Sequence, residues 1–248
     1  MEAEDRSVFD LKAVQPTNSI SYGNASDQVI DFYLPEKTSK PLVVLIHGGF
    51  WRPEFDREHL SPLARALADL GWPVALIEYR RIIGNPDATV QDVHSAMAKL
   101  SEDYGPTILL GHSVGGHLAL LVGSKFTALG VIALAPVTDL IRSEEMDLDE
   151  GAVSDFLGAP AKLRPDLNPI ELPPLKIKVH IIHGSADIRV PIQFSRDYIS
   201  KMNINSTDLL ELENTGHFEL IDPRSDIFSQ ICHELKVHLA SFLNFPSA

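Results

Sequence analysis

The stretch "ILLGHSVGGHLALL", residues 108–121, runs one apolar segment into another through a glycine-flanked serine. Its first half is short and rich in Ile and Leu, as strands buried on both faces of a sheet read. Its second half continues as "GGHLALLVGSKF" and reads as a helix. A strand that passes at once into a helix needs a sharp turn, and Ser113 stands in that turn. The motif is Gly111-His112-Ser113-Val114-Gly115. In such a turn the serine Oγ is lifted above the carboxyl edge of the sheet, and the two glycines are where a Cβ would clash with neighbouring backbone. A capping serine in a glycine-lined turn would leave the same local signature.

Working outward, "PLVVLIHG" (41–48), "PVALIEYR" (73–80), "LGVIALAP" (129–136) and "KVHIIHG" (178–184) are further continuous apolar runs. Helix-period segments alternate with them: 56–71 ending at Gly71, 88–105 ending at Gly105, 191–202 and 225–244, the last with Ile227, Ile231, Leu235 and Phe242 on one side. A strand-like "TDLLELEN" (207–214) precedes that last helix. At the front, "SISYG" (19–23) and "QVIDFYLP" (28–35) flank a turn-forming Asn-Ala-Ser-Asp and predict an antiparallel hairpin. The order predicts an α/β fold: a mostly parallel, doubly wound sheet led by an N-terminal hairpin, in a single domain over 1–248. Residues 138–176, acidic and Pro-rich, are longer than a crossover needs. They predict either a lid or cap insertion over the site or a solvated surface crossover.

Of the 248 residues, 44% are hydrophobic and 22% charged, the composition of an ordinary globular domain with a sizeable core. A net charge of -13 argues against nucleic acid or an anionic membrane as partner, because phosphates would be repelled. The single Cys232 cannot form an intramolecular disulfide, the N-terminus is acidic where a signal peptide is basic and then apolar, and no run of about 18 apolar residues occurs. A cytoplasmic location is the expectation. The acidic surface and last helix permit a homodimer.

A serine is a weak nucleophile until a base takes its proton, so a catalytic Ser113 requires a histidine, an orienting carboxylate and oxyanion donors. Asp187 lies just past "KVHIIHG", and His217 in "LENTGHFEL" just past the last strand. Both positions are carboxyl ends of predicted strands. Asp139, one strand earlier, is an alternative orienter, and Asp222 reads as a turn residue beside Pro223. His47, His112, His117, His183 and His233 sit where structural hydrogen bonding is the simpler role. The loop "HGGFW" after the first parallel strand would supply backbone N–H donors from Gly49 and Phe50, joined by that of Val114. Phe50, Trp51 and Phe218 adjoin these elements and could wall a substrate pocket or belong to the core. No metal-ligand spacing, P-loop or dinucleotide fingerprint is present, and neither a metal nor a cofactor is expected.

Taken together, the elbow, the chain order Ser-Asp-His and the strand pattern resemble the α/β-hydrolase superfamily from about Pro41 onward. The loop His47-Gly48-Gly49-Phe50-Trp51 is similar to the H-G-G-x-W of the arylformamidase and small-esterase branch, and "GHFEL" to that branch's histidine segment. Phe50 departs from the H-G-G-G of hormone-sensitive-lipase relatives, and Ser113 from the cysteine of dienelactone hydrolases. The resemblance implies a serine hydrolase of small carboxylic esters or aryl formamides such as N-formyl-kynurenine. The same triad would serve a general carboxylesterase, an acyltransferase or a peptidase, and the fold also hosts non-catalytic binders of small molecules.

Overall fold

A computed structural model describes residues 4–126, 128–202 and 206–244. Its sheet has eight strands: β1 (Asn18–Ser21), β2 (Val29–Tyr33), β3 (Val43–Ile46), β4 (Val74–Ile77), β5 (Thr107–His112), β6 (Ala128–Leu134), β7 (Lys178–Gly184) and β8 (Thr207–Leu212). They lie in the order β1-β2-β4-β3-β5-β6-β7-β8. The hairpin β1–β2 pairs antiparallel, β2 joins β4 antiparallel, and every pair from β4 through β8 is parallel. The continuous apolar runs are strands sealed on both faces. Val43 and Leu45 point to one layer and Val44 and Ile46 to the other, all with no exposed surface. Sealing one such side chain from water is worth about 1.5–3 kcal/mol.

One layer holds α1 (Ser61–Asp69), through Leu63 and Leu67, and α7 (Asp226–Asn244), through Ile231, Cys232 and Leu235. Ile227 packs against it half-buried; the side chain of Phe242 lies outside the described residues. The other layer holds α2 (Pro86–Asp103), α3 (Val114–Val122) and α6 (Gln193–Met202), through Val93, Leu118 and Phe194. Helix α2 starts two residues before the predicted Ala88. Asn85 caps it by accepting the Ala88 N–H at 3.3 Å, and Pro86 sits in its first turn, where its missing N–H goes unused. Among the described residues no helix is long and apolar enough to cross a membrane.

Between β6 and β7, residues 138–176 form two short helices, α4 (Leu140–Glu145) and α5 (Ala152–Leu157), followed by three 3-10 turns. The segment is folded: Glu144 accepts the Ala161 N–H within it. Arg52 donates to the Asp149 carboxylate at 2.9 Å, and the Gly84 N–H reaches the Asp155 carbonyl at 2.7 Å. These last two bonds tie it to the loops after β3 and β4.

Candidate active site

Ser113 has φ 57° and ψ -119°, left-handed backbone that costs a residue with a Cβ about 1–3 kcal/mol. Surrounding bonds hold it there: its N–H donates to the Leu134 carbonyl at 2.8 Å, and its carbonyl accepts the His117 N–H at 3.1 Å. The flanking glycines explain how the turn fits. A Cβ on Gly115 would lie 2.0 Å from the Ile46 carbonyl oxygen, and one on Gly111 2.1 Å from the Gly115 carbonyl oxygen. Ser113 is buried at 2% exposure, and its Oγ makes no hydrogen bond among the described residues.

His217 and Asp187, from the loops after β8 and β7, meet at 2.6 Å between Nδ1 and Oδ2. The carboxylate is held on every side. Its Oδ1 accepts the N–H groups of Arg189 (2.8 Å) and Val190 (2.9 Å), and His183 Nε2 lies 3.3 Å from Oδ2. Burial pushes the Asp187 carboxyl up, but His217 and His183 outweigh that and hold it below the ordinary carboxylate range, so it stays ionised. A ring that gives its Nδ1 proton to this carboxylate presents Nε2 as an acceptor.

After β3 the chain takes three consecutive positive φ values, Gly49 108°, Phe50 49° and Trp51 56°. At Gly49 a Cβ would also come 2.4 Å from that of Phe55. The N–H groups of Gly49, Phe50 and Val114 find no backbone acceptor among the described residues. Beneath the loop lies a buried network that the sequence pattern missed. The two ring nitrogens of His47 lie 2.7 Å from the Gly48 carbonyl oxygen and 2.9 Å from the Glu78 carboxylate. Glu78 also accepts from the Arg57 N–H at 2.9 Å and from the Arg81 guanidinium. Burial pushes the Glu78 carboxyl up, yet His47 and Arg81 bring it below the ordinary range. The one sequence signal was an acid inside the apolar run "VALIEYR".

Ser113, His217, Gly49 and Phe50 line one narrow cavity of about 50 Å³. Its walls are aromatic: Phe9, Phe50, Phe55 and Phe218, with the rings of His59 and His112. Burial, with help from His47, depresses His59 to about 4, and burial followed by the neighbouring His217 depresses His112, so both rings are neutral at pH 7. His112 packs on His217 with ring centroids 4.4 Å apart and reaches its carbonyl through Nε2 at 3.1 Å. Three charged residues complete the lining: Arg6, Asp149 and Arg189. Arg6 and Phe9 come from the N-terminal segment, which the sequence reading had left without a role.

Of the two aromatic residues open between pocket and core, Phe218 lines the cavity, edge-on to His217 at 5.2 Å. Trp51 is 4% exposed, stacks on Phe156 at 4.4 Å and 10°, and is absent from the cavity wall. The left-handed turn at Phe50 and Trp51 sends the two neighbouring rings different ways, one to the pocket and one into the core. Asp139 caps α4 through the Arg142 N–H at 3.1 Å, and Asp222 pairs with Arg224 at 2.7 Å; neither lines the cavity. His117 reaches the Leu167 carbonyl at 2.8 Å, and His183 bonds Ser195 and the Val190 carbonyl. A larger groove of about 900 Å³, bounded by His94, Leu120, Leu175 and Tyr198, contains none of the predicted site residues. It runs between α2, the end of α3 and residues 166–177, and the polar groups that converge are in the smaller cavity.

A parallel sheet with a strained serine at one strand end, and a histidine–carboxylate pair at two others, defines an α/β-hydrolase. Residues 30–202 match the model of the BD-FAE family, and the chain belongs to that family. It is 25% identical over 231 residues to a kynurenine formamidase of Salmo salar, spanning 84% of this chain and 76% of the salmon protein. It is 28% identical over 156 residues to a kynurenine formamidase of Danio rerio, spanning 55% of this chain and 53% of that protein. Among solved structures, esterase B of Lactobacillus rhamnosis superposes with a TM-score of 0.77 at 18% identity, covering 96% of this chain and 90% of that one. Thermogutta terrifontis esterase 2 gives 0.73 at 20% identity, covering 93% and 96%. The last two speak for the fold.

Proposed function

We propose that the chain is a serine hydrolase of aryl formamides and small aryl esters, with Ser113 as nucleophile, His217 as base and Asp187 as its orienter. The observation that carries this reading is the orphaned, buried Ser113 Oγ in the same narrow cavity as an imidazole whose Nδ1 is locked 2.6 Å from a carboxylate. His217 Nε2 takes the Ser113 proton as Oγ attacks the substrate carbonyl. The amides of Gly49, Phe50 and Val114, otherwise without backbone acceptors, meet the oxyanion; such a donor is worth about 3 kcal/mol in the transition state. The imidazolium, stabilised by Asp187, returns the proton to the departing arylamine or phenol. A formyl- or acyl-enzyme remains on Ser113. Water then attacks it, His217 takes the water proton, and formate or a short acid leaves as the serine regains its hydrogen.

The size of the cavity supports the small acyl side. About 50 Å³ beside Ser113 accommodates a formyl or acetyl group, while Phe9, Phe55 and Phe218 offer faces to an aromatic leaving group. The likeness to the fish kynurenine formamidases supports N-formyl-kynurenine as the type of substrate. The test compares turnover of N-formyl-kynurenine, phenyl acetate and p-nitrophenyl octanoate, and probes the nucleophile with a fluorophosphonate. The expected result is fast turnover of the first two, negligible turnover of the octanoate, and one covalent adduct on Ser113 that is lost in Ser113→Ala. A folded Ser113→Ala enzyme with undiminished rate would end the reading.

A further inference from the structure

The charges at the mouth of the cavity do not balance. Asp149 is neutralised by Arg52 at 2.9 Å, and Arg189 by Glu4 at 2.8 Å. His59 and His112, both depressed by burial, bring no charge at pH 7. That leaves Arg6. Its guanidinium forms no ion pair or hydrogen bond with any described residue and sits over two aromatic rings, 5.4 Å from the centroid of Phe9 and 5.5 Å from that of Phe218. Contact with two rings set nearly at right angles, 76° apart, holds the guanidinium in the cavity wall, and its N–H groups, without a partner among the described residues, can receive a carboxylate. In a chain of net charge -13 an unpaired cation in the site wall is a local feature that attracts an anion.

Its position identifies which end of the substrate it meets. Phe218 follows His217 in the chain, and their rings are in edge contact at 5.2 Å. The imidazole delivers its proton to the leaving group, so the side of the cavity beyond it is the leaving-group side. We propose that Arg6 is a specificity-determining residue that binds a carboxylate carried on the aromatic leaving group, making the enzyme selective for anionic aryl formamides and esters over neutral ones. This rests on the hydrolase reading given above.

The test uses two near-isosteric esters, 3-(4-acetoxyphenyl)propanoate and its neutral carboxamide, with wild type, Arg6→Gln and Arg6→Lys. The wild type favours the carboxylate, through KM and not kcat, by about three- to tenfold, the range of a partly exposed charged contact. Raising the salt from about 0.05 to 0.5 M shrinks the preference, because a rim charge is screened. Arg6→Gln abolishes the preference, raising KM for the carboxylate ester more than for the carboxamide, and Arg6→Lys retains part of it. Equal hydrolysis of the two esters by wild type, or an equal loss on both in Arg6→Gln, overturns the assignment of Arg6. Failure of wild type to hydrolyse either ester, or to take up the fluorophosphonate, overturns the hydrolase reading itself and this inference with it.

Discussion

Asp187 Oδ2 lies 2.6 Å from His217 Nδ1, while its Oδ1 is fastened by the two N–H groups of Arg189 and Val190. The carboxylate therefore has a fixed position before the imidazole arrives, and the ring's tautomer follows from it. Asp187→Asn presents an amide that can offer N–H where the carboxylate accepted, so kcat is expected to fall about 10⁴-fold with the fold intact. Asp139→Asn keeps an N-capping oxygen for α4 and leaves turnover within a factor of about two. Steady-state rates of the two variants check the assignment; a crippled Asp139→Asn beside an active Asp187→Asn would reverse it.

Gly115 allows α3 to approach β3 closely. With a Cβ placed 2.0 Å from a backbone oxygen that cannot swing aside, Gly115→Ala is expected to lose about 3 kcal/mol or more, and activity with it. Urea denaturation of the soluble fraction measures the loss. Unchanged stability would mean that the elbow and β3 are not in the contact described.

Trp51 and Phe218 are expected to separate stability from specificity. Trp51→Ala removes a core ring stacked on Phe156 and lowers stability by about 3–5 kcal/mol. Phe218→Ala raises KM for aryl substrates much more than for methyl esters, with a smaller change in stability. Melting curves beside KM values for an aryl and a methyl ester distinguish the two outcomes.

The Glu78 carboxylate joins His47, Arg81 and the backbone of Arg57 beneath the loop after β3, the proposed source of oxyanion donors. Glu78→Ala leaves the buried Arg81 cation unpaired and is expected to cost about 3–5 kcal/mol. At temperatures where the variant is still folded, kcat falls more than KM changes, since the loop aims donors at a charge that exists only in the transition state. Loss of stability with kcat retained would limit Glu78 to a structural part.

Stability should decline on mild acidification. Burial depresses both His59 and His117 to about 4, against about 6.5 in an unfolded chain. Between those values the unfolded state binds more protons, so ΔG of unfolding rises with pH there and falls as the pH drops from about 6.5 toward 4, by up to about 3 kcal/mol per histidine. Denaturant titrations at pH 7.5 and pH 5 measure the slope. His117→Gln, which keeps a donor for the Leu167 carbonyl and cannot titrate, should flatten it; equal stability at both pH values would contradict the burial of these rings.

The parts of the site that were legible in the sequence are those tied to strand ends. Ser113, Asp187 and His217 each follow an apolar run, and a parallel sheet brings the carboxyl ends of its strands to one edge whatever the helices between them do. The hairpin was legible for a similar reason, because its turn and its alternating strands are both local. Whether Trp51 belongs to pocket or core was not legible, because period and neighbourhood do not reveal the direction of a side chain in left-handed backbone. Glu78 and Arg6 were missed because their partners are distant in the chain. His47 and Glu78 meet only through the pairing of β3 with β4, and Arg6 reaches Phe218 only once the N-terminal segment has folded back over the cavity.

By itself the sequence determined the element order, the doubly buried sheet and the strand ends at which the candidate residues stand, because hydrophobic period and turn chemistry act over a few residues at a time. Tertiary structure decided which aromatic ring faces the pocket, which carboxylate meets the imidazole and which cation is left unpaired. Those outcomes depend on distances between groups far apart along the chain, set when the two faces of the sheet are packed.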